Sequence, residues 1–298
     1  MTGIQWTDKV WNPTTGCDRI SPGCDNCYAL TMAKRLKAMG QAKYQADGDP
    51  RTSGPGFGIA THADALTIPL HWREPRRIFV NSMSDLGHAR VPREFVARVW
   101  AVMAATPQHT YQVLSKRPER MLRLLADECT CGSGHPPGAH FRSAMEWAAT
   151  RHSPTYVPGL KSGVGCNGAW PLPGVWLGTS IESDKYAWRA DDLRRTPAAV
   201  RFLSLEPLIG PLPSLSFEGI DWMIIGGESG AGARPMDLGW VRDLVARARE
   251  AGTAVFVKQL GAVWASEHGG NNHGSDWDLW PGDLRIREFP ASEMAPAP

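Results

Sequence analysis

A parallel α/β fold, built as an open or partial barrel of alternating strands and helices, is what this 298-residue sequence predicts. Three observations lead there. Short apolar runs rich in β-branched residues recur along the chain and stop at polar or glycine-containing sequence, which is how strands buried on both faces read. Amphipathic stretches of helical period lie between them, and that alternation implies a parallel sheet with right-handed crossovers. The composition, 42% hydrophobic and 21% charged, supplies a sizeable core and excludes global disorder. The length admits one large domain or two small ones.

The strands are expected at Arg77–Asn81, Thr110–Ser115, Val175–Thr179, Arg201–Leu205, Trp222–Gly226 and Ala254–Lys258, with a seventh near Trp6–Trp11. Six or seven strands suit an open or partial barrel better than a full eight-stranded one, and a doubly wound sheet stays open because periodicity does not set strand order. A helix-like run follows Cys27, starting at Tyr28. Gln41–Trp72, rich in glycine and polar residues, reads as a long loop. Arg93–Thr106 gathers Phe95, Val96, Val99, Trp100 and Met103 on one helical face. Pro118 opens ERMLRLL at the position where proline is tolerated in a helix. Ser183 or Asp184 is placed to cap Lys185–Arg195, and Asp237 to cap Leu238–Ala251, which stops at Gly252.

Asp127–Pro173 is far longer than a crossover needs and reads as a Cys/His-rich insertion, since such loops are functional or independently tied down. The expected organisation is therefore a barrel over residues 1–265 interrupted by 127–173, followed by a C-terminal loop and tail over 266–298 whose last residues, ASEMAPAP, look disordered. No internal repeat is visible. No apolar run approaches the ~20 residues of a membrane helix. Nor does the start look like a signal peptide. A cytoplasmic protein without membrane contact is expected, in the host cytoplasm if the chain is phage-encoded. Its formal net charge of +2 argues against nucleic-acid binding driven by bulk charge. The thirteen tryptophans are expected mostly in the core or at its rim.

Three of the six cysteines, Cys17, Cys24 and Cys27, sit in one loop at C-x6-C-x2-C spacing. In a reducing compartment clustered cysteines read as metal-binding or catalytic rather than as disulfides. Thiolates suit both zinc and iron–sulfur clusters. A structural zinc is closed by four protein ligands. A cubane cluster held by three cysteines leaves one iron open to a small molecule, so the count favours the cluster. Gly16, Pro22 and Gly23 supply the turns, and the helix from Tyr28 would aim its N-terminal N–H groups at the anion. In the insertion, Cys129, Cys131, His135 and His140 (C-x-C-x3-H-x4-H), with distant Cys166, form a second soft-ligand group. A structural zinc is the natural reading there; an auxiliary iron–sulfur cluster and free thiols are the alternatives.

The ends of the predicted strands carry Ser82, Ser84, Asp85, Ser115, Lys116, Arg117, Ser180, Glu182, Glu206, Glu228, Ser229, Lys258 and Gln259. Ligands of parallel α/β folds bind at those ends, and the recurrence of polar groups suggests a site. Glu228, in the turn that follows Gly226 and Gly227, is placed to accept from an ammonium. Glu182 or Glu206 could hold ribose hydroxyls beside Ser180. Lys116, Arg117 or Lys258 could pair with a carboxylate or phosphate.

The opening WTDKVWNPTTGCDRISPGCDNCYA, with FVNSMSDL, VLSKRPERM, VWLGTSIES, RFLSLEPL, IIGGESG and VFVKQLG, resembles an uncharacterised family of phage and bacterial proteins, known mainly from actinobacterial phages. The resemblance covers about three quarters of the chain, without the insertion and tail. That family in turn is similar to radical S-adenosylmethionine enzymes. The similarity implies a partial (β/α)6, TIM-like barrel, and a 4Fe–4S cluster on Cys17, Cys24 and Cys27. It further implies S-adenosylmethionine bound at the open iron, a reductant protein as partner, and a 5′-deoxyadenosyl radical as the reactive species. The spacing differs from the superfamily's usual C-x3-C-x2-C, and Gly226-Gly227-Glu228 ends a later strand than its GGE motif. A nucleotide or nucleic-acid substrate is suggested by the phage association and by Arg73, Arg76, Arg77, Lys116 and Arg117. The alternatives are a zinc-stabilised α/β nucleic-acid-binding protein and a metal-dependent hydrolase using the strand-end carboxylates; the carboxylates count against the first and the scarcity of histidine at the strand ends against the second.

Overall fold

A computed structural model describes residues 4–165 and 169–291. The fold is mixed α/β with parallel strands, and the chain forms two compact units. The first comprises the residues up to Asp18, Ala29–Leu177 and Arg195–Ala199; the second comprises Arg19–Tyr28, Gly178–Arg194 and the chain from Val200 onward.

In the first unit, β1 (Lys9–Trp11) is the seventh strand that the sequence suggested near Trp6–Trp11. β3 (Ala60–Thr61), inside the Gln41–Trp72 stretch that reads as a long loop, pairs antiparallel with β2 (Thr14–Thr15), which lies just before Cys17. β4 (Arg77–Val80) pairs in parallel with β1 on one side and with β5 (Thr110–Ser115) on the other. Beside β5 begins β6 (Val175–Ser180), whose entry is fixed by the Tyr111 N–H donating to the Gly174 carbonyl at 2.7 Å. The helices are α1 (Tyr28–Ala38), α2 (Arg93–Ala105), α3 (Pro118–Leu125) and α4 (Ala139–Ala149). The predicted face of α2 is buried, and Pro118 occupies the first turn of α3. The indole N–H of buried Trp11 donates to the Ala65 carbonyl at 2.7 Å.

Helix α4 is the main departure from expectation, because it lies inside the insertion, where little apolar sequence is visible. Phe141 and Met145 are fully buried, and the Phe141 ring meets Trp100 of α2 edge-on at 5.8 Å. Four apolar residues at helical spacing suffice once a second helix supplies the opposite wall.

The second unit contains the end of β6, then β7 (Val200–Leu205), β8 (Trp222–Gly226) and β9 (Ala254–Gln259), parallel and adjacent in chain order. Every residue of β8 is buried, as the uninterrupted WMIIG run predicts. Its helices are α5 (Arg189–Arg195), α6 (Leu238–Glu250) and α7 (Ala262–His268). Asp237 caps α6 as expected, its carboxylate accepting from the Gly239 N–H at 2.7 Å. The helix expected over Lys185–Arg195 is instead a short 3-10 turn, Asp184–Tyr186, followed by α5, and no side-chain cap forms at Ser183. Residues 267–291 are largely irregular but packed: Trp280, Leu284 and Ile286 are buried, and the Val257 N–H donates to the Ile286 carbonyl at 2.9 Å; the rest of the tail expected to be disordered, residues 292–298, lies outside the described residues. No helix among the described residues is long and apolar enough to cross a membrane.

Candidate functional site

In the first unit the strand-end groups after β4 and β5 form one buried network. Asp85 accepts from Ser115 Oγ at 2.6 Å, Arg117 Nη1 at 2.7 Å, the Gly87 N–H at 2.9 Å and the Lys116 N–H at 3.1 Å. Arg117 and Asp85 are both nearly excluded from water, so each charge depends on the other. Arg117 then reaches the first arm of the cysteine loop: Nη1 lies 3.4 Å from Cys17 Sγ and Nη2 donates to the Asp18 carbonyl at 3.0 Å. Burial alone would ease the proton off Arg117, but the anionic charges of Asp85 and Cys17 outweigh it and hold the guanidinium above its ordinary range.

The Asp18 carboxylate accepts from Thr52, Ser53, His88 and Arg90 at 2.7–2.9 Å. Burial opposes its ionisation, and these four donors overcome it, leaving the carboxyl far below the usual range. His88 is pushed down by burial and then by Arg117, against the pull of Asp18. Gly16, just before Cys17, has φ +87°, and a Cβ there would sit 2.1 Å from the Gly58 carbonyl oxygen. Both backbone and space demand glycine at that position.

In the second unit Glu182 and Glu228 hold the other arm. Ser21 Oγ donates to Glu182 Oε1 at 2.6 Å and lies 3.7 Å from the sulfur of buried Cys24. Glu182 is fully buried and pairs with Arg189 at 3.1 Å; Arg189 also donates to the Ser180 carbonyl at 2.8 Å and stacks 4.3 Å over the Tyr186 ring. Gly23 packs straight onto this carboxylate, for a Cβ there would fall 2.2 Å from Glu182 Cγ. Its role is close approach rather than an unusual backbone angle.

Glu228 accepts from Arg234 through its N–H and Nε at 2.8 Å each and through Nη2 at 2.5 Å, and from Asn26 Nδ2 at 3.1 Å. Arg234 also donates to the Pro22 carbonyl at 2.9 Å. Burial would raise the Glu228 pKa, but Arg234 and Asn26 override it and lower it. Beside them Glu206 pairs with Lys258 at 2.8 Å, and Gly226 leaves room for that pair, since a Cβ there would meet Glu206 Oε1 at 2.6 Å.

The strand-end residues are thus engaged differently from what their types alone suggest. Glu182 and Glu228 are engaged with arginine and with the loop, so a ribose hydroxyl or an ammonium would have to displace Arg189, Ser21, Arg234 or Asn26 to reach them. Lys116 is half-buried, and Ser180 is buried with its carbonyl accepting from Arg189. Among the basic residues offered to a nucleic acid, Arg117 is buried on Asp85 and Arg77 pairs with Asp8 at 3.3 Å. Sequence reasoning missed Ser21, Asn26, Arg189 and Arg234 as partners. The one legible sign is that Arg234 follows Glu228 by six residues across a glycine-rich stretch, GESGAGAR, which is pliant enough to fold back.

In the insertion, Cys129, Cys131, His135 and His140 each place a donor atom within 4.8 Å of all the others, an arrangement that could hold a metal ion. The two sulfurs are 3.2 Å apart, and His135 Nδ1 lies 3.4 Å from Cys129 Sγ and 3.3 Å from Cys131 Sγ. Hydrogen bonds from Cys131 and His140, with the backbone of His135, bring the Cys129 thiol down to about 5. Three of these donors come from the loop before α4 and His140 from its first turn. Cys166, the fifth candidate, lies outside the described residues.

Residues 1–282 match the family described as Protein of unknown function (DUF5131), and the chain belongs to that family. No curated protein and no solved structure matches it.

Proposed function

We propose that this member of the family is an iron–sulfur enzyme of the radical S-adenosylmethionine-like kind, with Cys17, Cys24 and Cys27 as ligands of a 4Fe–4S cluster. The observation that carries the reading is the bracing of the cysteine loop by buried strand-end charges. Arg117, locked on Asp85, lies against Cys17; Glu182, locked on Arg189, holds Ser21 and Gly23; Glu228, locked on Arg234, holds Asn26. A loop that merely connected two elements would not need three such pairs. The donor set also suits the cofactor: three thiols and no histidine form a soft set, with the Arg117 guanidinium 3.4 Å from Cys17 Sγ.

When bound, such a cluster supplies the electron that cleaves S-adenosylmethionine reductively. The chain's own groups bind and orient. With Glu182 and Glu228 committed to the loop, the half-buried Glu206–Lys258 pair beside Gly226 and Gly227 is the better-placed polar pair for S-adenosylmethionine, with Ser180 and Lys116 as further candidates. The strands run in chain order within each unit, without the reversal of a doubly wound sheet, which favours the partial (β/α)6 barrel. A nucleotide or nucleic-acid substrate, a phage-type origin, a reductant protein as partner and a zinc ion in the Cys/His group of the insertion complete the reading.

The test is anaerobic purification and reconstitution. About four irons and four sulfides per chain, lost in Cys17→Ala, Cys24→Ala and Cys27→Ala, are expected. Release of 5′-deoxyadenosine from S-adenosylmethionine under a strong reductant should follow. Failure to take up iron overturns the proposal.

A further inference from the structure

The loop from Glu128 to Pro137 has no buried residue, yet it carries three of the four converging donors. Its protein anchors lie at its ends: the Gly138 N–H donates to the Asp127 carbonyl at 3.0 Å, and Arg93 Nη2 bonds Asp127 Oδ2 at 2.6 Å. Beyond its far end α4 is firmly packed through Phe141 and Met145. A segment without a core of its own is held in shape by a metal or a disulfide, or not at all.

The donor spacing selects among occupants. With Zn–S near 2.3 Å and Zn–N near 2.0–2.1 Å, a tetrahedral site sets its sulfurs about 3.8 Å apart and sulfur from nitrogen about 3.6 Å. The sulfur–nitrogen distances of 3.3–3.4 Å fall about 0.2–0.3 Å inside that tetrahedron and the sulfur–sulfur distance of 3.2 Å about 0.6 Å inside it, so the donors would open slightly around the ion. A two-iron cluster with mixed ligands puts thiolates on one iron and imidazoles on the other, and so would keep His135 well away from both cysteines. One ion accounts for all four donors.

Resting on zinc as the occupant, we infer that a single zinc is held by Cys129, Cys131, His135 and His140 alone, as a closed site that fastens the 128–137 loop to the first turn of α4. Two thiolates and two imidazoles fill the tetrahedron, so no position is left for water or substrate and Cys166 is not required. The metal is a fastener here, not a catalyst. Zinc takes both cysteines as thiolates, so any thiol proton still held when it binds leaves to solvent.

The test uses the full-length protein. Metal analysis should find one zinc per chain in the wild type and in Cys166→Ser, and loss of zinc in Cys131→Ser and His135→Ala. In zinc-depleted wild type, Co²⁺ should give thiolate-to-cobalt charge-transfer bands with intense tetrahedral d–d bands. Limited proteolysis should cut within 128–137 after chelation and spare that loop when zinc is restored. Loss of zinc in Cys166→Ser, a weak octahedral cobalt spectrum, or chelator-independent cleavage would each overturn the inference. Iron counted in the same proteins after anaerobic reconstitution separates the two readings, because absent iron with retained zinc sinks the iron–sulfur enzyme and leaves the zinc site standing.

Discussion

Replacing Glu182 by glutamine removes one charge from a fully buried pair and changes almost no volume. The side chains of Glu182 and Arg189 are 0% and 2% exposed, so the guanidinium left behind cannot recover its lost partner from water. Breaking such a pair costs about 3–5 kcal/mol. Arg189 keeps the Ser180 carbonyl at 2.8 Å and the Tyr186 ring at 4.3 Å, which brings the cost to the lower end of that range. The bond from Ser21 changes from a charged to a neutral acceptor and loses about 1 kcal/mol. Glu182→Gln is therefore expected to lower stability by about 3–4 kcal/mol. Urea unfolding at neutral pH, followed by tryptophan fluorescence, reads this as a midpoint shift of about 1 M. Pairing it with Arg189→Met removes both charges and should recover more than half of the loss, since a buried ion pair is readily replaced by apolar groups. A single-mutant cost below about 1 kcal/mol, or a double mutant no better than the single one, would refute the claim that this pair anchors the loop.

Gly23→Ala should cost about 2–3 kcal/mol, because the new methyl lands on a side chain that has nowhere to go; Gly210→Ala, with open space at its Cβ, is the near-neutral control in the same unfolding assay. The Glu228 pKa is lowered from its ordinary 4.5, so its contribution to stability is present above that pH and fades as pH falls through the lower folded value. The stability difference between wild type and Glu228→Gln should accordingly shrink as pH drops below about 4.5, and a difference that grows on acidification would contradict the Arg234 pairing. Asp237→Ala should cost about 1 kcal/mol through loss of the α6 cap, while Asp237→Asn keeps most of it; equal losses in the two would show that the Gly239 contact is not the cause.

The strands were legible because their chemistry is local. Runs such as TYQVLS and WMIIG declare themselves by composition, and their observed limits coincide with the apolar runs. Asp237 and Pro118 were legible for the same reason, since a cap or a first-turn proline acts within four residues. Helix α4 was not, because its amphipathic face is short and gains meaning from Trp100, about forty residues earlier in the chain. The broken helix before α5 also escaped, as Ser183 has the right residue type for a cap without the capping bond.

The candidate sites divide in the same way. The sequence by itself determined which donors exist: a thiol triplet at Cys17, Cys24 and Cys27, a Cys/His group in the insertion, and polar residues after nearly every strand. Ligand chemistry follows from residue type, and spacing along a short loop limits which donors can meet. Only the tertiary structure decided what the strand-end charges do. Glu182 and Glu228 read as open acceptors because their partners Arg189, Arg234, Ser21 and Asn26 carry no mark in sequence that says whom they meet. A charge at a strand end is equally suited to a ligand or to a neighbouring loop. The choice between them rests on distance and on exclusion of water, which exist once the chain has folded.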